Sequence, residues 1–456
     1  MVAEPTTTTD ARPPPWRVVF HGKRGRLTAG LLLLEALVAI QALVVATIMP
    51  DIRRDLGMVA LYGLAFTAPS LATLASIPIA GRAVDRAGAR RVLFVSLALF
   101  AAGLVVAGTA PAMPVLLIGQ FLVGAGAGGL YAMSLGTVAK SYPDDLRPRV
   151  LALLATMWIL PGLVGPPFGA LLASTVGWRW AFLAPIPIMV VGWFLIAPAL
   201  SMVPAPDREA GSLQLRWPLQ LMVGAGIAFA ALAIVQWWAI GLVLVGLAVA
   251  LPALARIVPA GTLRAARGIP AAGMSAFLLS VGFLSIDAFL TLMLTAVRGL
   301  ALGEASLAIT GATVAWAAGS LWQSGRAGRI PLPRLVMVGT LLVLVGGAAV
   351  ASTLWLAVPV VVAFIGWIAV GVGMGVTFPT IPLAAMRQAG VGEESSELSS
   401  VLLMDVLGVA TGAALGGGAV ALSQALGAPL ARGIGGSFAI GFVALAVLLG
   451  TSRRIA

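Results

Sequence analysis

Gly81-Arg82-Ala83-Val84-Asp85-Arg86-Ala87-Gly88-Ala89-Arg90-Arg91 is the stretch that decides the fold. It sets five charged residues and two glycines between two apolar runs, 61–80 and 92–110. About 20 mostly apolar residues cross a bilayer as a helix. Each run is therefore long enough to span, and the charged stretch reads as a tight hairpin at a membrane surface from which the remaining chain can be oriented.

The composition agrees. Of 456 residues, 60% are hydrophobic and 10% charged, and the mean hydropathy of +1.06 lies far outside the range of soluble globular chains. Lipid admits only helices or closed barrels, because every backbone polar group must be satisfied internally. The apolar runs here are continuous rather than alternating, which selects an all-α polytopic membrane protein. About fourteen spans are read, at 27–50, 59–80, 92–110, 112–138, 149–175, 180–202, 217–235, 239–257, 270–296, 303–323, 335–353, 356–384, 397–424 and 433–452. There is no cysteine, so disulfides and Cys-based metal sites are excluded. The single histidine, His21, lies before the first span, which leaves carboxylates to carry any proton chemistry inside the bilayer.

A net charge of +12 on a soluble chain would raise the question of nucleic acid; its placement here answers it. With the N-terminus inside, Arg53, Arg54, Arg179, Arg298 and Arg432 fall on the outer face and all the other Lys and Arg fall on the cytoplasmic one. This follows the positive-inside rule. The expectation is a multi-pass protein of the plasma membrane, the inner membrane of a bacterium, with both termini cytoplasmic and no nucleic-acid partner.

Residues 1–26 are rich in Thr, Pro and Arg and are read as a disordered cytoplasmic tail, without the apolar core and cleavage site of a signal peptide. After the sixth span, the polar stretch 204–216 marks a boundary between halves. Spans seven and eight meet at Gln236-Trp237-Trp238 and carry no ionisable residue between Arg216 and Arg256, so they read as a lipid-facing insertion. Gly325-Arg326-Ala327-Gly328-Arg329, after the tenth span, repeats the Arg86-Ala87-Gly88 of the first hairpin with Gly325 where Asp85 stood. The expected division is a tail at 1–26, a six-helix bundle at 27–203, linkers with two extra helices at 204–269 and a second six-helix bundle at 270–452. Parallel repeats of this kind place the substrate site between the halves near mid-membrane.

These features together resemble the major facilitator superfamily. Gly81-x-x-x-Asp85-Arg86-x-Gly88-x-Arg90-Arg91 is similar to that superfamily's loop signature between its second and third helices. Gly165-Pro166-Pro167-Phe168-Gly169 resembles the core of its antiporter signature, with Pro161 and Ala170 in place of the flanking glycines. Gly177-Trp178-Arg179-Trp180-Ala181-Phe182 and the extra central pair resemble the fourteen-helix drug:proton antiporter family. The chain departs from the pattern at Gln120, where the family has an arginine, and at Gln41, where it has an aspartate nine residues before a proline. The resemblance implies a secondary active transporter, not an enzyme, that exports hydrophobic or amphipathic small molecules by alternating access. It would be driven by the proton gradient and would need no cofactor or metal. It further implies a switch in which Asp85 meets the positive N-terminal end of the thirteenth span, around Ser395 to Ser399. A lipid or glycolipid exporter of flippase type fits the same fold, and a non-transporting receptor or scaffold is the alternative of another class. A monomer is expected.

Glu35, Asp287 and Asp405 lie deep within spans, where an ionisable group is costly and usually faces a cavity or a partner. No Lys or Arg lies nearby in sequence, so they are the proton-coupling candidates, Glu35 and Asp405 foremost; the alternative is a neutral acid bonded to backbone or to a neighbour such as Gln41. Gln41, Gln120, Tyr131, Trp158, Trp316 and Trp367 are candidates for the cavity wall, unless the tryptophans serve packing or the membrane interface. Gly165, Pro166 and Gly169, with two backbone donors missing, are expected to break the fifth span and serve as a pivot. Gly124-Ala125-Gly126-Ala127-Gly128-Gly129 has glycine spacing like a nucleotide loop but lies mid-span without a strand or lysine, and reads as helix-packing sequence. Gly371-Val372-Gly373-Met374-Gly375 reads the same way.

Overall fold

The computed structural model describes residues 20–143, 146, 150, 153–154, 157, 159–202, 215–326, 329–388 and 394–455, with backbone alone at 85, 139, 159, 201–202 and 394–398. Among the described residues every regular element is helical. The long helices are α1 Gly22–Leu56, α2 Leu64–Ala87, α3 Ala89–Gly108, α4 Met113–Ser141, α5 Ile159–Thr175, α6 Arg179–Ile196 and α7 Arg216–Leu232. They continue with α8 Ala239–Ile257, α9 Ile269–Val297, α10 Leu302–Ser324, α11 Leu332–Ser352, α12 Val361–Gln388, α13 Glu394–Ala425 and α14 Leu430–Thr451. Eleven helices among the described residues are long and apolar enough to cross a membrane. Of the expected spans, α5 and α7 are 17 residues each and α10 is diluted by Ala, Gly, Ser and Thr.

The charged hairpin is tighter than its sequence implied. Helix α2 runs unbroken through Ala87 and α3 starts at Ala89, so the turn is Gly88 alone. Gly88 sits at φ +85°, a conformation glycine takes without steric cost, and its N–H donates to the Val84 carbonyl at 3.1 Å. Arg82, Arg86, Arg90 and Arg91 are exposed around it. The face they occupy is called the basic face below.

Packing repeats along the chain. In the first half α3 packs on α4, α2 on α4, α1 on α5 and α6, and α3 on α6. Eight helices later the same pairs recur: α11 with α12, α10 with α12, α9 with α13 and α14, and α11 with α14. The glycine runs read as packing sequence make equivalent approaches, since a Cβ on Gly124 of α4 would collide with the backbone of Pro69 on α2, and one on Gly371 of α12 with that of Ala312 on α10. Helices that cannot use the hydrophobic effect against lipid gain dispersion by such close contact. The halves meet along two seams, α2 against α13 and α5 against α10.

Two expectations change. Helix α5 is continuous through Pro166 and Pro167, so the expected local break is absent. Proline costs a helix its hydrogen bond to the preceding turn, yet its fixed φ of about −65° is itself helical, and α1 and α10 pack against this helix. The seventh and eighth spans are also more than a lipid-facing insertion. Helix α8 is mostly exposed, but α7 inserts Leu221, Ala225, Ala228 and Phe229 into a cluster with Leu71 and Leu74 of α2 and Leu407, Ala410 and Ala414 of α13. The hairpin therefore covers the α2–α13 seam.

Candidate functional site

Asp405 lies on α13, two turns beyond Leu398, where the helix faces α9. It accepts a hydrogen bond from the Ser280 hydroxyl of α9. Around it Ala276, Leu279, Phe378, Ile381, Val401 and Leu402 line a small pocket. These residues come from the start of α9, the end of α12 and the start of α13, so the pocket lies in the half of the molecule nearer the basic face. Asp405 is partly buried among apolar groups, and Ser280 is a polar partner that holds its carboxyl in place.

Glu35 of α1 lies in the other half. The Tyr131 hydroxyl of α4 lies close enough to both Glu35 and Asp405 for each charge to act on it. The two acids that act on this phenol come from opposite halves, Glu35 on α1 and Asp405 on α13.

Asp287 stands apart. It lies in the far part of α9, and its charge acts on the hydroxyl of Tyr62, a side chain with 0% exposure just before α2. Tyr62 also packs on Phe289 of α9 at 5.4 Å and on Phe66 at 5.8 Å between ring centroids. Its neighbour Gly63 meets α13 backbone to backbone, and Thr67 donates to the Ala410 carbonyl at 3.2 Å. The face opposite the basic one is therefore closed where α2, α9 and α13 come together.

Between these two levels runs an aromatic wall. Phe283 stacks on Trp367 at 5.6 Å and meets Trp316 edge-on at 5.6 Å; Trp316 in turn meets Phe378 at 5.5 Å. Phe378 borders the Asp405 pocket, and Phe283 lies one helical turn from Asp287 on α9. The wall connects the surroundings of the two acids. Trp367 is fully buried and Trp316 partly so, the former a packing residue within the wall.

The other candidates divide. Gln120 is buried and reaches the Ala65 carbonyl of α2 at 3.4 Å, which ties it to its own half. Gln41 is 2% exposed with neither carboxamide atom hydrogen-bonded, a polar group held ready for a partner. Trp158 lies outside the described residues, as does the Asp85 side chain. Near Gly169 a Cβ would press on Val44 of α1 at 3.0 Å, whereas Gly165 has ordinary room, so only the former is constrained by its neighbour. Gly81 has open space around it.

Sequence reasoning missed Ser280, Tyr62, Phe283 and Phe378, because each acquires its role from residues on another helix. It also quoted Trp178-Arg179 without their partner. Both donate to Asp55 at the end of α1, Trp178 Nε1 at 3.1 Å and Arg179 at 2.7 Å, fastening α6 to α1.

Residues 31–412 match the family profile described as Major Facilitator Superfamily. The chain is 24% identical over 399 residues to the multidrug transporter protein MdtP of Bacillus subtilis (strain 168), a match covering 83% of this chain and 72% of that protein. Its similarity to multidrug resistance protein 3 of the same organism is local, 28% over 167 residues, covering 37% of this chain and 33% of the relative. In structure it is similar to a POT family transporter solved with a thioalcohol-conjugated peptide, with a TM-score of 0.70 at 17% identity, covering 94% of this chain and 96% of that one. At that identity the likeness concerns the fold.

Proposed function

This chain belongs to the major facilitator superfamily, and we propose that it is a proton-coupled secondary transporter that exports hydrophobic or amphipathic small molecules by alternating access. It works as two six-helix bundles, α1–α6 and α9–α14, with α7 and α8 added between them, in the plasma membrane of a bacterium with both termini cytoplasmic and as a monomer. The repetition of the packing pairs eight helices apart supports that division. The multidrug transporters among its relatives support the cargo class.

What supports the coupling is that Glu35 of α1 and Asp405 of α13, acids of opposite halves, both act electrostatically on Tyr131 of α4. With both charged, repulsion holds the basic-face halves apart; protonation of either lets them close around the empty site. Cargo and proton then exclude one another in the same gap, which is the condition for antiport. The aromatic wall supplies apolar surface for the cargo, and the unpartnered Gln41 supplies a hydrogen bond.

The test is ethidium efflux and ethidium-driven proton movement in proteoliposomes. Glu35→Gln and Asp405→Asn are expected to bind ethidium and lose the accompanying proton flux. Unaltered proton flux in both variants would defeat the assignment. Transbilayer movement of a fluorescent phospholipid in the same vesicles separates drug cargo from lipid cargo.

A further inference from the structure

At the basic end of the α7–α8 hairpin, two guanidiniums converge on one indole. The Arg216 guanidinium carbon lies 4.7 Å from the centroid of the Trp217 ring, and that of Arg256 lies 5.5 Å from the same centroid. The two charges are therefore no more than about 10 Å apart, a separation comparable to the screening length of physiological salt. Both arginines are exposed, and neither is paired with a carboxylate among the described residues.

This convergence is built by the fold. A Cβ on Gly224 of α7 would stand 2.5 Å from the Ala250 nitrogen, and one on Gly246 of α8 would stand 2.5 Å from the Ala228 nitrogen. Gln220 adds a hydrogen bond from its Nε2 to the Val249 carbonyl at 3.0 Å. The hairpin is thus clamped along its length, and Arg216 at the first residue of α7 has to face Arg256 in the last turn of α8. Toward the membrane interior the same two helices expose Leu219, Val223, Leu247 and Leu251. Beyond α8, the linker adds exposed Leu263 beside Arg264.

We propose that Arg216, Trp217 and Arg256 form a binding site for the phosphate of an anionic phospholipid, with its acyl chains lying on Leu219, Val223 and Leu251. A phosphodiester matches the fork of a guanidinium, and two such forks at this spacing offer more donors than one headgroup oxygen needs. The indole orients both cations by their attraction to its face and sits at the depth where tryptophan prefers the interface. The apolar surface directly below the charges favours a lipid over a free phosphate, which has nothing to place there. Basic pockets between membrane helices bind anionic headgroups for the same reason.

Purified full-length protein carrying phosphatidylglycerol, examined by native mass spectrometry, tests this. The Arg216→Gln/Arg256→Gln variant is expected to lose bound phosphatidylglycerol by about thirtyfold, while Arg329→Gln/Arg334→Gln, which removes two charges elsewhere on the basic face, retains it. Trp217→Leu, which keeps the apolar bulk, is expected to weaken retention and serves if the double variant does not fold. Equal retention in all variants overturns the proposal. So does equal retention of phosphatidylcholine, which would mean apolar adhesion alone, or displacement of the lipid by millimolar inorganic phosphate, which would mean a soluble-anion site.

Discussion

Gly63, ahead of α2, and Gly417 on α13 touch backbone to backbone: a Cβ on Gly63 would stand 2.7 Å from the Gly417 Cα and 2.5 Å from the Ala413 carbonyl oxygen. Two helices of opposite halves approach this closely only when both contact residues lack side chains. The contact lies on the face opposite the basic one, beside Tyr62 and Phe289, and closes it.

Gly417→Val should hold that face open. Overpacking of this kind costs about 1–3 kcal/mol, enough to move a two-state population by roughly tenfold or more. The chain has no cysteine, so a single Thr67→Cys can be labelled without background. Its reaction with a membrane-impermeant maleimide should be faster in the Gly417→Val background, and an unchanged rate would show that the contact does not govern closure.

Ser280→Ala removes the hydroxyl that Asp405 accepts from. Loss of one such bond is worth about 1 kcal/mol, so the protein should remain folded, with little change in thermal stability. Ethidium-driven proton flux should nevertheless fall, because the carboxyl is no longer held toward the gap. Ser280→Thr, which keeps a hydroxyl, should restore most of it; equal flux in the alanine and threonine variants would leave Ser280 a packing residue.

Asp85→Asn is expected to shift the population toward separation of the basic-face ends of the halves, since the family resemblance implies that this carboxylate meets the positive end of α13. Spin labels on α2 and α13 near the basic face should report a longer mean distance in the variant. Identical distance distributions would reduce Asp85 to a local role in its hairpin.

Leu232 of α7 lies against Gly418 of α13, with a Cβ on Gly418 3.2 Å from the Leu232 Cβ. Helix α7 touches α2 over a longer stretch than α13, so it should travel with the first half. A Leu232→Cys/Gly418→Cys disulfide should then arrest ethidium efflux until it is reduced. Undiminished efflux in the oxidised form would mean that α7 moves with α13 instead.

The fold was legible in the sequence because lipid leaves so few options: an apolar run of about 20 residues has to be a helix. The glycine runs were legible as packing for the same reason. The site was less so. Glu35, Asp287 and Asp405 stood out by the cost of burying a charge, but nothing local says that the charges of two of them act on Tyr131 while that of the third acts on Tyr62. Such pairings join helices that are distant along the chain, as Ser280 and Asp405 show, and they follow from the packing of whole bundles. The helix break expected at Pro166 failed because a missing donor need not alter the backbone path.

The seat of α7 has an effect on the sides of the molecule. The repeated packing of the halves calls for two equivalent flanks, yet the α2–α13 flank lies beneath the hairpin, while the α5–α10 flank presents Leu160, Leu163, Leu307 and Val314 to the surrounding lipid. A solute dissolved in the acyl chains therefore meets an uncovered boundary between the halves from one direction. The added pair makes a nearly two-sided molecule one-sided: the seam left uncovered is the one where α5 and α10 touch so closely that a Cβ on Gly162 would collide with the Thr313 Cγ2.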